Sequence, residues 1–173
     1  MSKRFQEGNL SIEFPDFKQI FKPLEDIGHV EVGILGQAKK TSSNKKGKKD
    51  VPVAYYASVH EFGDPQHNIP MRSWLRQPLK ENFPKYLQEH LADIVKYIME
   101  GRKEEALENL GQEARNTILK AFEDHGAHGE WPPLSDATIA RKTKNGRKGD
   151  APLIDTGDMR RSVDYKVVLT NKE

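Results

Sequence analysis

The sequence predicts an α+β protein in which a small antiparallel sheet packs against two long helices. Apolar and polar residues alternate in two segments near the ends of the chain, His29 to Gly36 and Ser162 to Leu169, as they do in half-buried strands. Between these segments, apolar residues recur every three or four positions over two long stretches, as they do in amphipathic helices. The chain of 173 residues shows no internal repeat, so a single domain spanning residues 1–173 is expected.

Three elements are predicted before the long helices. An amphipathic stripe predicts a short helix that begins near Pro15 or Asp16 and ends or bends at Pro23. After the strand at His29 to Gly36, residues 39–50 are rich in lysine, contain no apolar residue and are predicted to form a flexible loop. The segment from Val51 to Val59 then resumes an extended pattern, which predicts the second strand of a hairpin.

The middle of the chain is predicted to hold the two long helices. Glycine and proline at Gly63 and Pro70 predict a structured loop before them. The first long helix is expected to start near Phe83, because Pro84 suits a first turn, and to end near Gly101. The second is expected from about Lys103 to Asp124, with Gly126 stopping it.

A short helix and a strand are predicted to follow. Ser135 can cap the helix by accepting a hydrogen bond from the amide of Ala137 or Thr138, and a basic loop over residues 141–150 closes it. The final strand, Ser162 to Leu169, is expected to pair with the N-terminal hairpin, because each alone leaves an apolar face exposed.

Positive charge is concentrated in two short segments, although the net charge is only +2. Such segments can bind phosphate backbones or acidic protein surfaces, and they are also common as solvated loops. Contact with DNA would be non-specific in sequence, since lysine lacks the bidentate geometry with which arginine recognises guanine. The side chains predicted to face DNA or a partner are Lys39, Lys40, Lys45, Lys46, Lys48, Lys49, Arg141, Lys142, Lys144, Arg147 and Lys148.

Catalytic residues, metal ligands and cofactors are not expected. Cysteine is absent, and neither a phosphate-binding glycine loop nor a nucleophile elbow occurs. The pair His60 and Glu61 lacks the second histidine of a zinc motif, since Asp64 stands at its place. Leu153 to Gly157 spells the motif of an aspartic protease, but only 16 residues follow it, so a turn is expected there.

No membrane association is expected from the sequence. No apolar run approaches the roughly 20 residues that a spanning helix needs, and the N-terminal residues do not resemble a signal peptide. The absence of cysteine fits a reducing cytoplasm.

Trp74 and its neighbours Arg72 and Arg76 are candidates for a protein interface. Tryptophan and arginine are enriched in binding hot spots, and an irregular segment can present them to a partner. The alternative is that Trp74 anchors this loop to its own domain. Trp131 presents the same choice, and packing is favoured there.

Four motifs occur in a fixed order: YASVHEFG at Tyr56 to Gly63, IPMRSWLR at Ile69 to Arg76, WPPLS at Trp131 to Ser135, and LIDTG at Leu153 to Gly157. Their order and spacing resemble the tail-completion and head-tail joining proteins of tailed phages, the virion morphogenesis proteins. The resemblance extends roughly from Val30 to Val168. The inserted lysine segment, and Met159 where the family often has leucine, depart from the pattern.

The resemblance implies a compact α+β subunit that builds particles and is not an enzyme. It implies a ring of identical subunits that contacts head-connector and tail proteins and touches packaged DNA non-specifically. Such a protein would be found in the cytoplasm of the bacterial host during assembly, and then in the neck or tail of the virion. One alternative is a monomeric, non-specific nucleic-acid-binding module that uses the two basic loops, and another is a small hydrolase whose site is not recognised.

Overall fold

The fold is described by a computed structural model, which covers residues 4–7, 10–13, 22–36 and 51–170. The predicted α+β class is confirmed, because a two-strand antiparallel sheet packs against two long helices. The elements are, in chain order, β1 (Arg4–Glu7), β2 (Leu10–Glu13), a 3-10 turn (Lys22–Leu24), β3 (His29–Ile34), α1 (Val53–Phe62), a 3-10 turn (Pro65–His67), α2 (Arg76–Met99), α3 (Lys103–Asp124), α4 (Asp136–Lys144), α5 (Asp158–Arg161) and β4 (Val163–Val168).

The central sheet joins the two ends of the domain. β3 and β4 pair antiparallel, with His29 opposite Val168 and Ile34 opposite Val163, and the sheet lies on α3. Both predicted strands and the pairing of the C-terminal strand with the strand at His29 are therefore confirmed. Gly28 permits the close approach at the end of this pair, since a Cβ atom there would lie 2.2 Å from the carbonyl oxygen of Val168.

The N-terminal region differs in part from the sequence prediction. β1 and β2, which the sequence analysis does not predict, form a separate antiparallel pair. Most of the predicted helix between Pro15 and Pro23 and the whole lysine-rich segment 39–50 lie outside the described residues; residues 22–24 form a 3-10 turn.

The predicted strand at Val51 to Val59 is wrong, because these residues belong to α1. Val53, Ala57 and Glu61 are buried at intervals of four residues, so one helical face packs into the domain. The predicted hairpin therefore does not form, and within the described residues β3 pairs with β4 alone.

The first long helix starts earlier than predicted. α2 begins at Arg76, so Pro84 lies inside the helix and not in its first turn. The predicted start near Phe83 is wrong because Glu61 in α1 accepts hydrogen bonds from the amides of residues 74–76 and so caps the helix at its start. The second long helix is confirmed at Lys103–Asp124, and it ends in His125, which has left-handed backbone geometry with φ of 58°.

An aromatic cluster forms the centre of the core. The ring of Phe122 on α3 lies 6.0 Å from that of Trp74 and 5.7 Å from that of Trp131. Val53 from α1 and Val163 from β4 are buried in the same cluster. The core therefore joins α1, α3, both tryptophan segments and the C-terminal strand.

Gly111 allows β4 to approach α3 closely. A Cβ atom at this position would lie 2.2 Å from Cδ2 of Tyr165 and 2.8 Å from its Cγ. The Cγ atom is fixed near the backbone of β4, so a small rotation of the ring does not relieve the clash. The hydroxyl of Tyr165 also donates to Glu108 at 2.8 Å, which holds the ring over the glycine.

We expect Gly111→Ala to lower the free energy of unfolding by about 1–3 kcal/mol, the usual cost of overpacking. Elsewhere in a helix the same change stabilises by about 1 kcal/mol, because alanine has the higher helix propensity. In a Tyr165→Ala background, where the ring is gone, Gly111→Ala should therefore stabilise the protein. Urea unfolding of the wild type, the two single variants and the double variant gives the free energy of each change. If Gly111→Ala destabilised the protein equally with and without the Tyr165 ring, the proposed clash would be wrong.

Candidate functional site

The first two motifs are joined through the carboxylate of Glu61. Its Oε1 accepts from Ser73 Oγ at 2.7 Å, from Arg76 Nε at 2.8 Å and from the Arg76 amide at 3.2 Å. Its Oε2 accepts from the amides of Trp74 at 2.9 Å and Leu75 at 3.0 Å. The side chain is almost fully buried. Glu61 therefore caps the N-terminus of α2, where amides lack helical partners and negative charge is favoured.

Arg72 joins the second motif to the third. Its Nε donates to the carbonyl of Pro132 at 2.8 Å, and its Nη2 donates to the carbonyl of Pro133 at 2.9 Å. The indole of Trp131 donates back to the carbonyl of Ser73 at 3.0 Å. Burial lowers the pKa of Arg72 below its ordinary value. These contacts tie together segments that lie about sixty residues apart in the chain.

The fourth motif closes a cavity of about 220 Å³ against the other three. Asp155 accepts from Arg147 at 2.5 Å, and Asp158 accepts from Arg161 at 2.6 Å. Burial, and then the nearby carboxylate of Asp158, raise the pKa of Tyr56 to about 12, so its hydroxyl is protonated at neutral pH. The motif residues that line the cavity are Tyr56, His60, Arg72, Leu134 and Leu153 to Gly157.

Of the three interface candidates, Arg76 is the one whose side chain reaches the surface. Its guanidinium lies 4.4 Å from the ring centre of Phe62 while its Nε pairs with Glu61. Trp74 is only 3% exposed, and its indole donates to the carbonyl of Ala57 at 2.9 Å. The structure thus has Trp74 anchoring the loop in its own domain. Arg72 is also buried.

The second basic segment is less available than the sequence suggests. Residues 141–144 form the last turn of α4 and are not part of a loop; the predicted cap is present, since the amide of Thr138 donates to Ser135 Oγ at 3.4 Å. Cations favour a helix C-terminus, which explains why the helix continues through them. Lys142 is only 5% exposed, and Arg147 pairs with Asp155. The exposed cations of this segment are Arg141, Lys144 and Lys148.

Burial also affects the hydrogen bonding and the pKa of the Lys142 side chain. Its ammonium donates to the carbonyl of Ala151 at 2.6 Å. Desolvation lowers its pKa, and this effect is partly offset by Asp155 and Asp150.

The six lysines predicted at positions 39–49 lie outside the described residues. Within residues 22–36 and 51–170, no group of three or more histidine or acidic side chains could hold a metal ion. No helix in the described part of the chain could span a membrane.

The outer face of α1 carries exposed apolar side chains, which were not among the residues predicted to form an interface. Tyr55 and Phe62 are 65% and 61% exposed, and they lie seven residues apart, hence on one helical face. Val51, which precedes α1, is also exposed, as is Met71 in the following loop. If the segment from Val53 to Phe62 had been predicted as a helix, the sequence would have placed Tyr55 and Phe62 on one face.

Comparison of the chain with protein-family models, with curated proteins and with solved structures found no match. The resemblance of the four motifs to tailed-phage proteins therefore stays a prediction.

Proposed function

We propose that this protein is a structural subunit of a tailed phage or prophage that completes the tail or joins it to the head as a ring of identical subunits. The observation that carries the proposal is the convergence of all four motifs on one place. Glu61 links the first motif to the second, Arg72 links the second to the third, and the fourth closes the cavity lined by residues from the other three. Short motifs that match a family by chance have no reason to lie together in the folded protein. Their contact in space therefore supports the resemblance to the phage proteins.

The use of the polar motif residues supports a structural role. Both oxygens of Glu61 accept hydrogen bonds from the segment 73–76, and Arg72 donates to two backbone carbonyls. These side chains fix the path of the chain, which a subunit of a rigid assembly requires. A catalytic carboxylate instead needs an oxygen directed at a substrate, and both oxygens of Glu61 are directed at the segment 73–76.

The exposed stripe on α1 supports self-association. Single exposed apolar side chains are normal on protein surfaces, whereas several on one face mark an interaction site. Tyr55 and Phe62 supply aromatic area of the kind that dominates binding energy, and Arg76 lies against Phe62. We assign this face to the contact with the next copy in the ring.

The function is tested in a phage that carries this gene. Disruption of the gene is expected to give heads and tails that do not join, or tails without their final ring, as seen by electron microscopy. A plasmid copy of the wild-type gene should restore joined particles. Normal numbers of complete particles without the protein would rule out the proposed function.

The stripe is tested by the double substitution Tyr55→Lys and Phe62→Lys. Aromatic hot-spot residues contribute about 2 kcal/mol or more each, so self-association should weaken by more than about tenfold. The folded state should be unaffected, because both side chains are exposed. Light scattering measures the self-association of the purified variant. Its ability to restore joined particles to the disrupted phage measures assembly.

Leu91→Lys is the matched control, because Leu91 is 58% exposed but lies on α2, outside the stripe. This variant should assemble and restore particles like the wild type. Equal behaviour of the double variant and the wild type would show that the stripe is not the contact.

A further inference from the structure

We infer that the cavity between α1, α4 and residues 153–159 binds a small oxyanion, that is, a carboxylate or phosphate group. Arg72 and Lys142 both line this cavity, and each is only 5% exposed. Arg141 adds a third cation to its wall. The inference does not depend on the proposed function.

The two buried cations lack the partner that buried charges usually have. Charged groups removed from water are normally paired with an opposite charge. Arg72 donates to the carbonyls of Pro132 and Pro133, and Lys142 donates to that of Ala151, all of which are neutral acceptors. Neither cation forms an ion pair with a carboxylate in the described part of the chain. Arginine has five N–H donors and lysine three, so both retain donors for a ligand.

The acids that line the cavity form no ion pair with Arg72 or Lys142 in the described part of the chain, although Asp155 lies near enough to favour the charged form of Lys142. Asp155 is held by Arg147, which donates to both of its oxygens at 2.5 Å. Asp158 is held by Arg161 at 2.6 Å. Tyr56 adds no negative charge, because its phenol is protonated at neutral pH. Each lining acid thus has an arginine of its own, and the cationic wall keeps an excess of positive charge.

The volume of the cavity limits the ligand. A water molecule occupies about 30 Å³ of the liquid, so a cavity of about 220 Å³ has room for an acetate or phosphate ion with a few waters. Drug-sized and cofactor ligands generally occupy sites of about 300 to 1,000 Å³. The cavity therefore fits an isolated anionic group better than a nucleotide. An anion beside Lys142 would also favour the charged ammonium, against the desolvation that now lowers its pKa.

The test is thermal unfolding of the full chain with sodium acetate or sodium phosphate, compared with sodium chloride at the same ionic strength. At about 100 times the dissociation constant, acetate or phosphate should raise Tm by about 5–10 °C over chloride. Lys142→Met removes the charge and keeps the apolar stem, so it should abolish the shift. Lys144→Met is the control, since Lys144 lies on the same helix but is exposed, and it should respond like the wild type.

A second measurement keeps the test decisive if Lys142→Met does not fold. In the wild type, the NMR signal of the Arg72 Nε–H should move saturably with acetate or phosphate and not with chloride. Light scattering in the same titration identifies the source: oligomers that dissociate as acetate is added indicate an acidic side chain of a second copy, and an unchanged monomer indicates a free anion. No effect beyond that of chloride on either Tm or the Arg72 signal would overturn the inference. An equal Tm shift in folded Lys142→Met would also overturn it.

Discussion

Replacing Glu61 by alanine is expected to lower the free energy of unfolding by about 3–5 kcal/mol, because several donors at the start of α2 lose their acceptor together. The carboxylate is 3% exposed and accepts from Ser73, Arg76 and three backbone amides at the start of α2. Removal leaves those amides without an acceptor in a place that water hardly reaches, and each unsatisfied group costs about 1–3 kcal/mol. The substitution should also loosen the Trp74 loop, because two of the amides belong to it.

Two other substitutions separate the cap from a general loss of charge. Glu61→Gln keeps the size and one acceptor oxygen, so an intermediate loss is expected. Glu123→Ala removes an exposed carboxylate on α3 that pairs with Arg160 at the surface, and should cost less than about 1 kcal/mol. Urea unfolding measures all three. A Glu61→Ala protein within 1 kcal/mol of the wild type would show that α2 does not depend on this cap.

The cap also explains which parts of the fold the sequence could predict. α3 and the two central strands could be predicted from the spacing of apolar residues, because the buried face of each is visible in its own short segment of sequence. The start of α2, in contrast, depends on a contact between distant parts of the sequence. Glu61 accepts from the amide of Arg76, which lies 15 residues later, and no residue near Phe83 indicates this contact. Pro84, which argued for a later start, is tolerated inside a helix held at its end by another segment.

α1 shows how composition can mislead. Val51 to Val59 is rich in valine and tyrosine, which favour strands, and the segment follows a strand in the sequence. A strand would place Tyr55 on the same face as Val53 and Ala57, whereas the helix buries Val53 and Ala57 and leaves Tyr55 65% exposed. Tertiary contacts overrode local propensity here.

The candidate site was predicted as a set of motifs but not as an arrangement. Spacing along the chain cannot show that Arg72 meets Pro132, or that Lys142 is buried while its neighbour Lys144 is exposed. Both lysines belong to one basic run and differ only in the helical face they occupy. The sequence predicted the Ser135 cap at the start of this helix but assigned residues 141–150 to a loop, so it could not separate the two lysines.

Ending the chain at Asp158 is expected to abolish cooperative unfolding of the domain. The truncation removes β4, which is the partner of β3 in the described part of the chain. It also removes Met159 and Val163 from the core, where they are 4% and 1% exposed. Burial of a methionine or valine side chain contributes about 1.5–3 kcal/mol, so the two side chains alone account for much of a typical stability of about 5–15 kcal/mol. Arg115 on α3 would also lose the carbonyl of Val163, to which its Nε donates at 3.0 Å.

A chain ending at Thr170 keeps all of β4 and is the control, with a thermal transition expected at the wild-type temperature. The pairing of β3 with β4 would not be required for folding if the chain ending at Asp158 also unfolded cooperatively at that temperature.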